Sequence, residues 1–110
     1  MPDHPHLTDL EQLLLLAVLR QKEEAWGASI QEDVERVADR HVSLGSIHMT
    51  LARLEERGLV ESGKSAPQAT RGGKARRLYA VTEAGRAALE WNRAMMERMW
   101  GGVPARERGR

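Results

Sequence analysis

The chain has 110 residues, 41% of them hydrophobic, which suits one domain with one modest core. It contains no cysteine, which excludes disulfides, thiolate zinc sites and thiol catalysis and fits a cytoplasmic protein. The formal net charge is only +1, but residues 59–81 hold five cations and one acid, whereas residues 22–39 hold six acids and two cations. We therefore expect one side of the molecule to attract phosphate and another side to repel it.

Two helices are predicted in the N-terminal part of the chain. Thr8 and Glu11 have the spacing of a capping box, and the Leu-rich run behind them predicts a buried first helix that reaches about Gln21. A polar connection with Trp26 follows. A second, amphipathic helix over residues 28–39 is indicated by apolar residues at spacings of four and three, Ile30, Val34 and Val37. The apolar run of the first helix is too short to cross a bilayer, so no membrane partner is expected.

A third helix is predicted between Ser43, a suitable N-cap, and Gly58, which suits the left-handed conformation at a helix end. Its apolar positions are expected to face the core: Leu44, Ile47, Leu51 and Leu54. Its free side is expected to contact DNA base edges or phosphates through Ser43, Ser46, His48, Met49, Thr50 and Arg53. Because His48 lies beside the apolar stripe, burial and DNA contact both stay open for it.

A β-hairpin with a long basic tip is predicted next. Residues 59–61 and 77–81 are β-prone, and the residues that argue against regular structure between them are Gly63, Pro67, Gly72 and Gly73. The cations of the tip would neutralise phosphates, and its glycines would let the backbone approach DNA. The predicted contacts here are Arg71, Gly72, Gly73, Lys74 and Arg76. The order of helix, hairpin and helix is typical of a winged helix-turn-helix, a mainly α (α+β) fold with a two-stranded β-wing.

A fourth helix is predicted to begin after Thr82 and to end at Gly101. Its apolar stripe consists of Ala84, Ala88, Trp91, Met95 and Met99. A stripe this long is typical of a partner helix, and a two-fold axis would present two third helices to two DNA half-sites. We therefore predict a winged-helix domain over residues 1–81, a dimerisation helix over 82–100 and a disordered tail over 101–110.

Two tryptophans add a hypothesis about control. In such a dimer Trp91 or Trp100, beside flexible methionines, would form an apolar slot for a flat aromatic effector. A ligand that fits one spacing of the third helices better than another would release DNA. The alternative is that these tryptophans are simply part of a tight helix interface.

Catalytic and metal-binding patterns do not fit the predicted elements. Residues 58–65 match the phosphate-binding pattern GxxxxGK[ST], but that loop must lie between a strand and a helix, and here a predicted helix precedes it. Ser46 and His48 are two residues apart on a helix, so they cannot form a nucleophile and base pair. His4 and His6 stand beside prolines in a predicted flexible leader. We predict no enzyme activity, no cofactor and no metal site.

From Leu7 to about Leu89 the sequence resembles the PadR-like winged-helix transcriptional regulators. The matching positions are Gly45, Leu51, Leu54, Glu55, Gly58, Leu59, Tyr79, Thr82, Glu83, Gly85 and Leu89. His48 stands where that family commonly has a tyrosine that touches the DNA backbone, and the one C-terminal helix is similar to that of the short-tailed members. The resemblance implies a homodimeric repressor whose C-terminal helix packs against the partner's N-terminal helix. The expected interface is Leu10, Leu14, Ala88, Trp91, Met95 and Met99.

The favoured function is a DNA-binding transcriptional repressor that occupies a pseudo-palindromic operator as a homodimer and is released by a small aromatic effector. The alternative is a winged-helix module used for protein interaction or for non-specific DNA packaging. The ratio between the affinities for operator and for random DNA would distinguish the two.

Overall fold

The computed structural model describes residues 5–64 and 76–106. Within these ranges the elements are α1 (Asp9–Arg20), α2 (Gly27–Ala38), α3 (Leu44–Glu56), β1 (Val60–Lys64), β2 (Arg77–Val81) and α4 (Glu83–Gly101). β1 and β2 form a two-stranded antiparallel sheet. The predicted order of elements and the mainly α fold class with a β-hairpin are therefore confirmed.

Two threonine caps set where helices begin. The Thr8 hydroxyl accepts from the Glu11 N–H at 3.1 Å, and the Glu11 carboxylate accepts from the Thr8 N–H at 2.8 Å, so the predicted capping box is confirmed. Thr82 accepts from the Gly85 N–H at 3.0 Å, and its hydroxyl donates to the Gly58 carbonyl at 2.7 Å. Gly58 has φ of +77°, the left-handed conformation predicted for the end of α3. The start of α4 is thus hydrogen-bonded to the end of α3.

One apolar core joins all the elements, and α1 passes through its centre. Leu14 and Leu15 are completely buried, and Val18 is 1% exposed. The other large apolar side chains with almost no exposure are Ile30, Ile47, Leu51, Leu54 and Val60. Full burial of one such side chain contributes about 1.5–3 kcal/mol. Burial around α1 therefore holds α2, α3 and the hairpin in one arrangement.

The first strand is longer than predicted. It continues to Lys64, and Gly63 stands opposite Leu78 in the ladder. The expectation that Gly63 lies outside regular structure is therefore wrong. An antiparallel ladder is made by backbone groups, so a β-prone partner strand can hold a glycine whose own β propensity is weak.

The connection between α1 and α2 pairs with the middle of β2 at a single residue. The Tyr79 N–H donates to the Ala25 carbonyl at 2.9 Å, and these two residues form an isolated antiparallel bridge. Ala25 is completely buried, and Tyr79 is also buried. The hairpin is therefore docked to the helical core through the middle of β2.

A buried asparagine fastens the N-terminal residues to α4. The buried face of α4 consists of Gly85, Ala88, Leu89 and Asn92, whereas Ala84, predicted for the apolar stripe, is exposed. Asn92 accepts from the Leu7 N–H at 3.2 Å and donates to the carbonyls of Pro5 and Ala88 at 2.6 and 2.7 Å. These bonds satisfy the amide inside the core. The stripe is thus rotated from its predicted position, because Asn92, a polar side chain whose hydrogen bonds are satisfied inside the protein, takes a place in the core.

The last helix reaches slightly further than predicted. Gly101 belongs to α4, and the Val103 N–H donates to the Trp100 carbonyl at 2.9 Å. The boundary at residue 81 and the disorder of the tail stay predictions. Across the described ranges, no helix has the length and apolar character needed to span a membrane.

Gly85→Ala is expected to destabilise the fold, because a Cβ there would collide with the backbone carbonyl oxygen of Leu59. Overpacking of this kind costs roughly 1–3 kcal/mol, so the denaturant midpoint should fall. Gly45→Ala is the matched control, since no atom lies within 4 Å of a Cβ at that helical position. The control should be neutral or more stable by up to about 1 kcal/mol. Equal midpoints for the two variants would contradict the close approach at Gly85.

Candidate nucleic-acid interface

The outer side of α3 is exposed and is not covered by any other described element. The Ser43 hydroxyl accepts from the Ser46 N–H at 3.1 Å and so caps the helix. Five of the six residues predicted to contact DNA from this region are exposed: Ser43, Ser46, His48, Met49 and Arg53. Ser46 and Arg53 are seven residues apart, about two helical turns, and share one flank of the helix. His48 is therefore not buried, and its contact with DNA stays a prediction.

Two residues of α3 lie on the opposite side from the one predicted. Thr50 is buried at 8% exposure, because it follows Ile47 by three residues and precedes Leu54 by four and so shares their face. Leu44 is 41% exposed, because it opens the first turn of the helix beyond the edge of the core. Thr50 is therefore removed from the candidate contacts, and the free side of α3 is narrower than predicted.

Arg53 differs from the arginines that carboxylates already hold. The arginines that pair with carboxylates are Arg20, Arg36, Arg40, Arg57 and Arg93. Arg53 is exposed and has no ion pair within residues 5–64 and 76–106. A guanidinium without a carboxylate partner has all its donors available to an incoming anion.

The base of the hairpin is fastened to the end of α3. Arg77 donates to the Ser62 hydroxyl at 2.6 Å, and Ser62 donates to the Glu55 carboxylate at 2.9 Å. The guanidinium carbon of Arg76 lies 4.1 Å from the ring centroid of Trp26, a cation–π contact. Trp26 is not among the predicted contact residues, and its one signal in the sequence is a large aromatic side chain in a polar connection.

Most of the predicted wing tip lies beyond what the structure describes. Arg71, Gly72, Gly73 and Lys74 are outside the described residues, so their DNA contacts stay predictions. The residues before the tip do exclude the nucleotide-binding alternative. α3 precedes the GxxxxGK[ST] pattern, and residues 60–64 inside it form β1, so it is no loop between a strand and a helix. Within the described chain, no three His, Asp or Glu side chains are grouped to hold a metal ion.

The predicted dimer contacts divide into residues that are buried in the core and residues that are half-buried or exposed. Leu14 and Ala88 are completely buried in the core of their own chain, so both are removed from the candidate interface. Both belong to the apolar core of the protomer, where intramolecular packing already uses their surface. Of the other predicted contacts, Leu10, Trp91 and Met95 are half-buried, and Met99 is 70% exposed.

An open groove runs between α1 and α4. It has a volume of about 520 Å³, and its apolar lining consists of Leu16, Leu19, Leu89, Met96 and Trp100. Trp91 does not line it. Trp91 and Trp100 are nine residues apart, about two and a half helical turns, so they lie on opposite sides of α4. One protomer therefore does not bring the two tryptophans into one slot.

A family comparison agrees with this geometry. Residues 15–91 match the family model described as "Transcriptional regulator PadR-like family". The chain belongs to this family. The resemblance inferred from the sequence is therefore confirmed, and with it a regulatory role and a winged-helix fold.

Three relatives of this PadR-like regulator illustrate the similarity. The transcriptional regulator Rv3488 of Mycobacterium tuberculosis (strain ATCC 25618 / H37Rv) is 41% identical over 76 residues, which are 69% of this chain and 66% of that protein, just under two thirds of its length. A PadR-like transcriptional regulator of Bacillus cereus strain ATCC 14579 is 25% identical, with a TM-score of 0.67 over 89% of this chain and 93% of that one. A PadR family regulator of Clostridium difficile R20291 is 22% identical, with a TM-score of 0.67 over 83% and 91%, and shows the fold alone.

The docking of the hairpin predicts an alkaline pH dependence for this PadR-like regulator. Burial raises the pKa of the Tyr79 phenol above its usual value of about 10, and Glu55 raises it further, while Arg77 lowers it. The neutral phenol is therefore favoured in the folded chain. Its contribution to stability is complete below the unfolded pKa near 10 and is lost as pH rises through the higher folded pKa.

This shift can be measured directly, because Tyr79 is the only tyrosine in the sequence. Tyrosinate absorbance in a pH titration should have a midpoint above about 10 in the native protein and close to about 10 in denaturant. Identical midpoints in the two conditions would contradict the burial of the ring.

Proposed function

We propose that this PadR-like regulator is a cytoplasmic homodimeric repressor that occupies a pseudo-palindromic DNA operator and performs no bond chemistry. One observation carries the proposal: the free side of α3 holds an unpaired Arg53 beside Ser46 and Met49. Arginine donates in a fork to guanine in the major groove, serine contacts bases or phosphates, and an apolar side chain packs on the thymine methyl group. α3 is thus the recognition helix of the proposal.

The hairpin supports this orientation. The chain of hydrogen bonds from Arg77 through Ser62 to Glu55 holds the base of the hairpin at the last turn of α3. A helix in the major groove would then bring the basic residues of the hairpin to the neighbouring phosphates. The acids on the outer side of α2, Glu32, Glu35 and Asp39, would keep that side away from DNA.

The C-terminal half of α4 supports the dimer. The core-facing stripe of Leu89 and Asn92 continues along the helix into Met96, Met99 and Trp100, which are 50%, 70% and 66% exposed. The molecule is also elongated: its radius of gyration is 16.9 Å, whereas a compact domain of this length has about 13 Å. A second copy would cover this half-helix, and the groove between α1 and α4 is the surface that would receive it.

Binding to DNA can be tested without a known operator. Duplexes enriched from a random library on the wild-type protein should bind far more tightly than random duplex, whereas equal affinities would favour the packaging alternative. Arg53→Ala should weaken binding to the enriched duplex by roughly ten-fold or more, because a good base contact contributes about 1–3 kcal/mol.

The matched control is Arg98→Ala, which removes the same charge from an exposed position on α4. It should leave the affinity near the wild-type value. A phosphate contact alone would instead lower the salt slope by about 0.9 for each of the two protomers, about 1.8 in all, and weaken all duplexes equally. If Arg53→Ala and Arg98→Ala behave alike, α3 is not the recognition helix.

The dimer is tested by a charge placed on the free half of α4. Met99→Glu should convert a dimer into a folded monomer in sedimentation at micromolar concentration, because a buried unpaired charge costs several kcal/mol. Helix content should not change, since Met99 is exposed in the protomer. Ala94→Glu, on the opposite and exposed side of α4, should remain a dimer. A monomeric wild-type protein would contradict the two-fold arrangement.

The proposed effector is a small planar aromatic compound that binds beside Trp100. The groove there has an apolar lining and a volume of about 520 Å³, within the range of small-molecule sites, and in the proposed dimer the ligand would bind in the part that the partner helix leaves open. Binding to one spacing of the two recognition helices would release DNA to the extent of the difference in affinity. Compounds of this class should quench tryptophan fluorescence and weaken DNA binding together, and Trp100→Leu should abolish both effects. A screen in which no compound does both would contradict regulation at this groove.

A further inference from the structure

Residues 25–27, called here the connector, are the end of the connection between α1 and α2 together with the first residue of α2, and they contact both elements that carry the proposed DNA contacts. In the connector, Gly27 lies under the ring of His48 of α3, and Trp26 lies under the guanidinium of Arg76 at the start of β2. Ala25 accepts the backbone hydrogen bond from Tyr79 in the same strand. Recognition helix and hairpin are thus joined through three consecutive residues.

Gly27 lies against the His48 ring, and its backbone conformation is not one that requires glycine. A Cβ at this position would lie 2.7 Å from Cε1 and 3.0 Å from Nε2 of His48. Its φ is outside the left-handed region, so alanine can adopt the same backbone. The His48 ring therefore rests on bare backbone at the first turn of α2, while the side chain as a whole stays exposed. Any larger residue at position 27 must displace that ring.

Trp26 is held in place by its own helix. The Trp26 N–H donates to the Ser29 hydroxyl at 2.9 Å, and that hydroxyl lies 2.9 Å from the Trp26 carbonyl, to which it donates. The Ser29 carbonyl accepts from the Gln21 side chain at 3.2 Å, which ties this turn to α1. These bonds fix the Trp26 backbone, and the cation–π contact at 4.1 Å places the Arg76 guanidinium over the indole.

We infer that Trp26 and Gly27 are positioning residues that set the spacing between His48 and Arg76, and so the spacing of the recognition helix and the hairpin on DNA. The inference rests on the proposed DNA-binding function. Neither connector residue needs to touch DNA for this role. A contact group held in its bound position loses less side-chain freedom on binding, which raises affinity without adding a contact.

The first test is a double-mutant cycle on the enriched duplex at one salt concentration. Gly27→Ala should weaken binding by roughly five- to ten-fold, and His48→Ala should weaken it as well. Gly27→Ala added to His48→Ala should have no further effect, because the ring that it displaces is gone. Independent effects that multiply in the double variant would overturn the inference, since a general change in α2 does not depend on the residue at position 48.

A second cycle tests the other contact. Trp26→Leu should weaken binding, whereas Trp26→Phe keeps an aromatic face under Arg76 and should retain most of the affinity. In an Arg76→Ala background, Trp26→Leu should change nothing further. Equal losses for Trp26→Leu and Trp26→Phe would overturn this part. Should Gly27→Ala fail to fold, as judged by its thermal transition, this cycle decides alone.

The two proposals fail in different ways. If the wild-type protein binds no duplex, or if Arg53→Ala binds like wild type, the DNA-binding surface itself is wrong and the inference is overturned with it. If wild type binds and Arg53→Ala is weakened while both cycles show no coupling, only the positioning role is wrong. Sedimentation of each variant at the wild-type mass excludes loss of the dimer as the cause.

Discussion

The hydrogen bond from the Tyr79 N–H to the Ala25 carbonyl docks the hairpin on the helical core, and the position of the hairpin relative to the helices depends on this contact. A two-stranded hairpin in water is at best marginally stable, so β1 and β2 need a surface to pack on. The bridge supplies it by placing β2 against the α1–α2 connection, with the Tyr79 ring buried. The same junction holds the Thr82 cap on Gly58, so the end of α3, the hairpin and the start of α4 share one anchored region. A displacement of any one of these three elements should therefore displace the other two.

α4 has two halves with different surroundings, and this division links assembly to DNA recognition. The first half, with Ala88 and Leu89, belongs to the core, and Asn92 at its end binds the backbone of Leu7. The second half presents Met99 on the free continuation of the same stripe. Because a helix transmits displacement along its axis, a partner bound to the second half would fix the position of the whole winged-helix unit. Under the proposed two-fold arrangement, the distance between the two copies of α3 is then set at α4.

The sequence predicts elements and their limits well where the signal is local. Thr8 and Thr82 have cap partners three residues away, and Gly58 needs only its own backbone conformation, so these limits do not depend on distant contacts. Faces and contacts depend on tertiary packing, which a single sequence does not contain. Periodicity places a helix face only to within a residue or two. Leu44, predicted in the core, is therefore exposed, and Thr50, predicted on the outer side, is buried. Periodicity also cannot predict the hydrogen bond between Asn92 and Leu7, because the two residues are 85 positions apart.

The number of charged residues can be read from the sequence, but the ion pairs that they form cannot. Residues 22–39 are acidic by count, yet the carboxylate of Asp33 among them is buried and binds both Arg20 and Arg36, at 2.8 and 2.6 Å. Removing either arginine would leave the buried Asp33 carboxylate with fewer partners, so Arg20 and Arg36 have a structural role. The same holds in weaker form for the exposed pair of Arg40 and Asp9, where the Arg40 guanidinium lowers the pKa of the carboxyl. The net charge of +1 therefore says little about affinity for DNA, because the cations that matter are those, such as Arg53, that no carboxylate of the described chain has already bound.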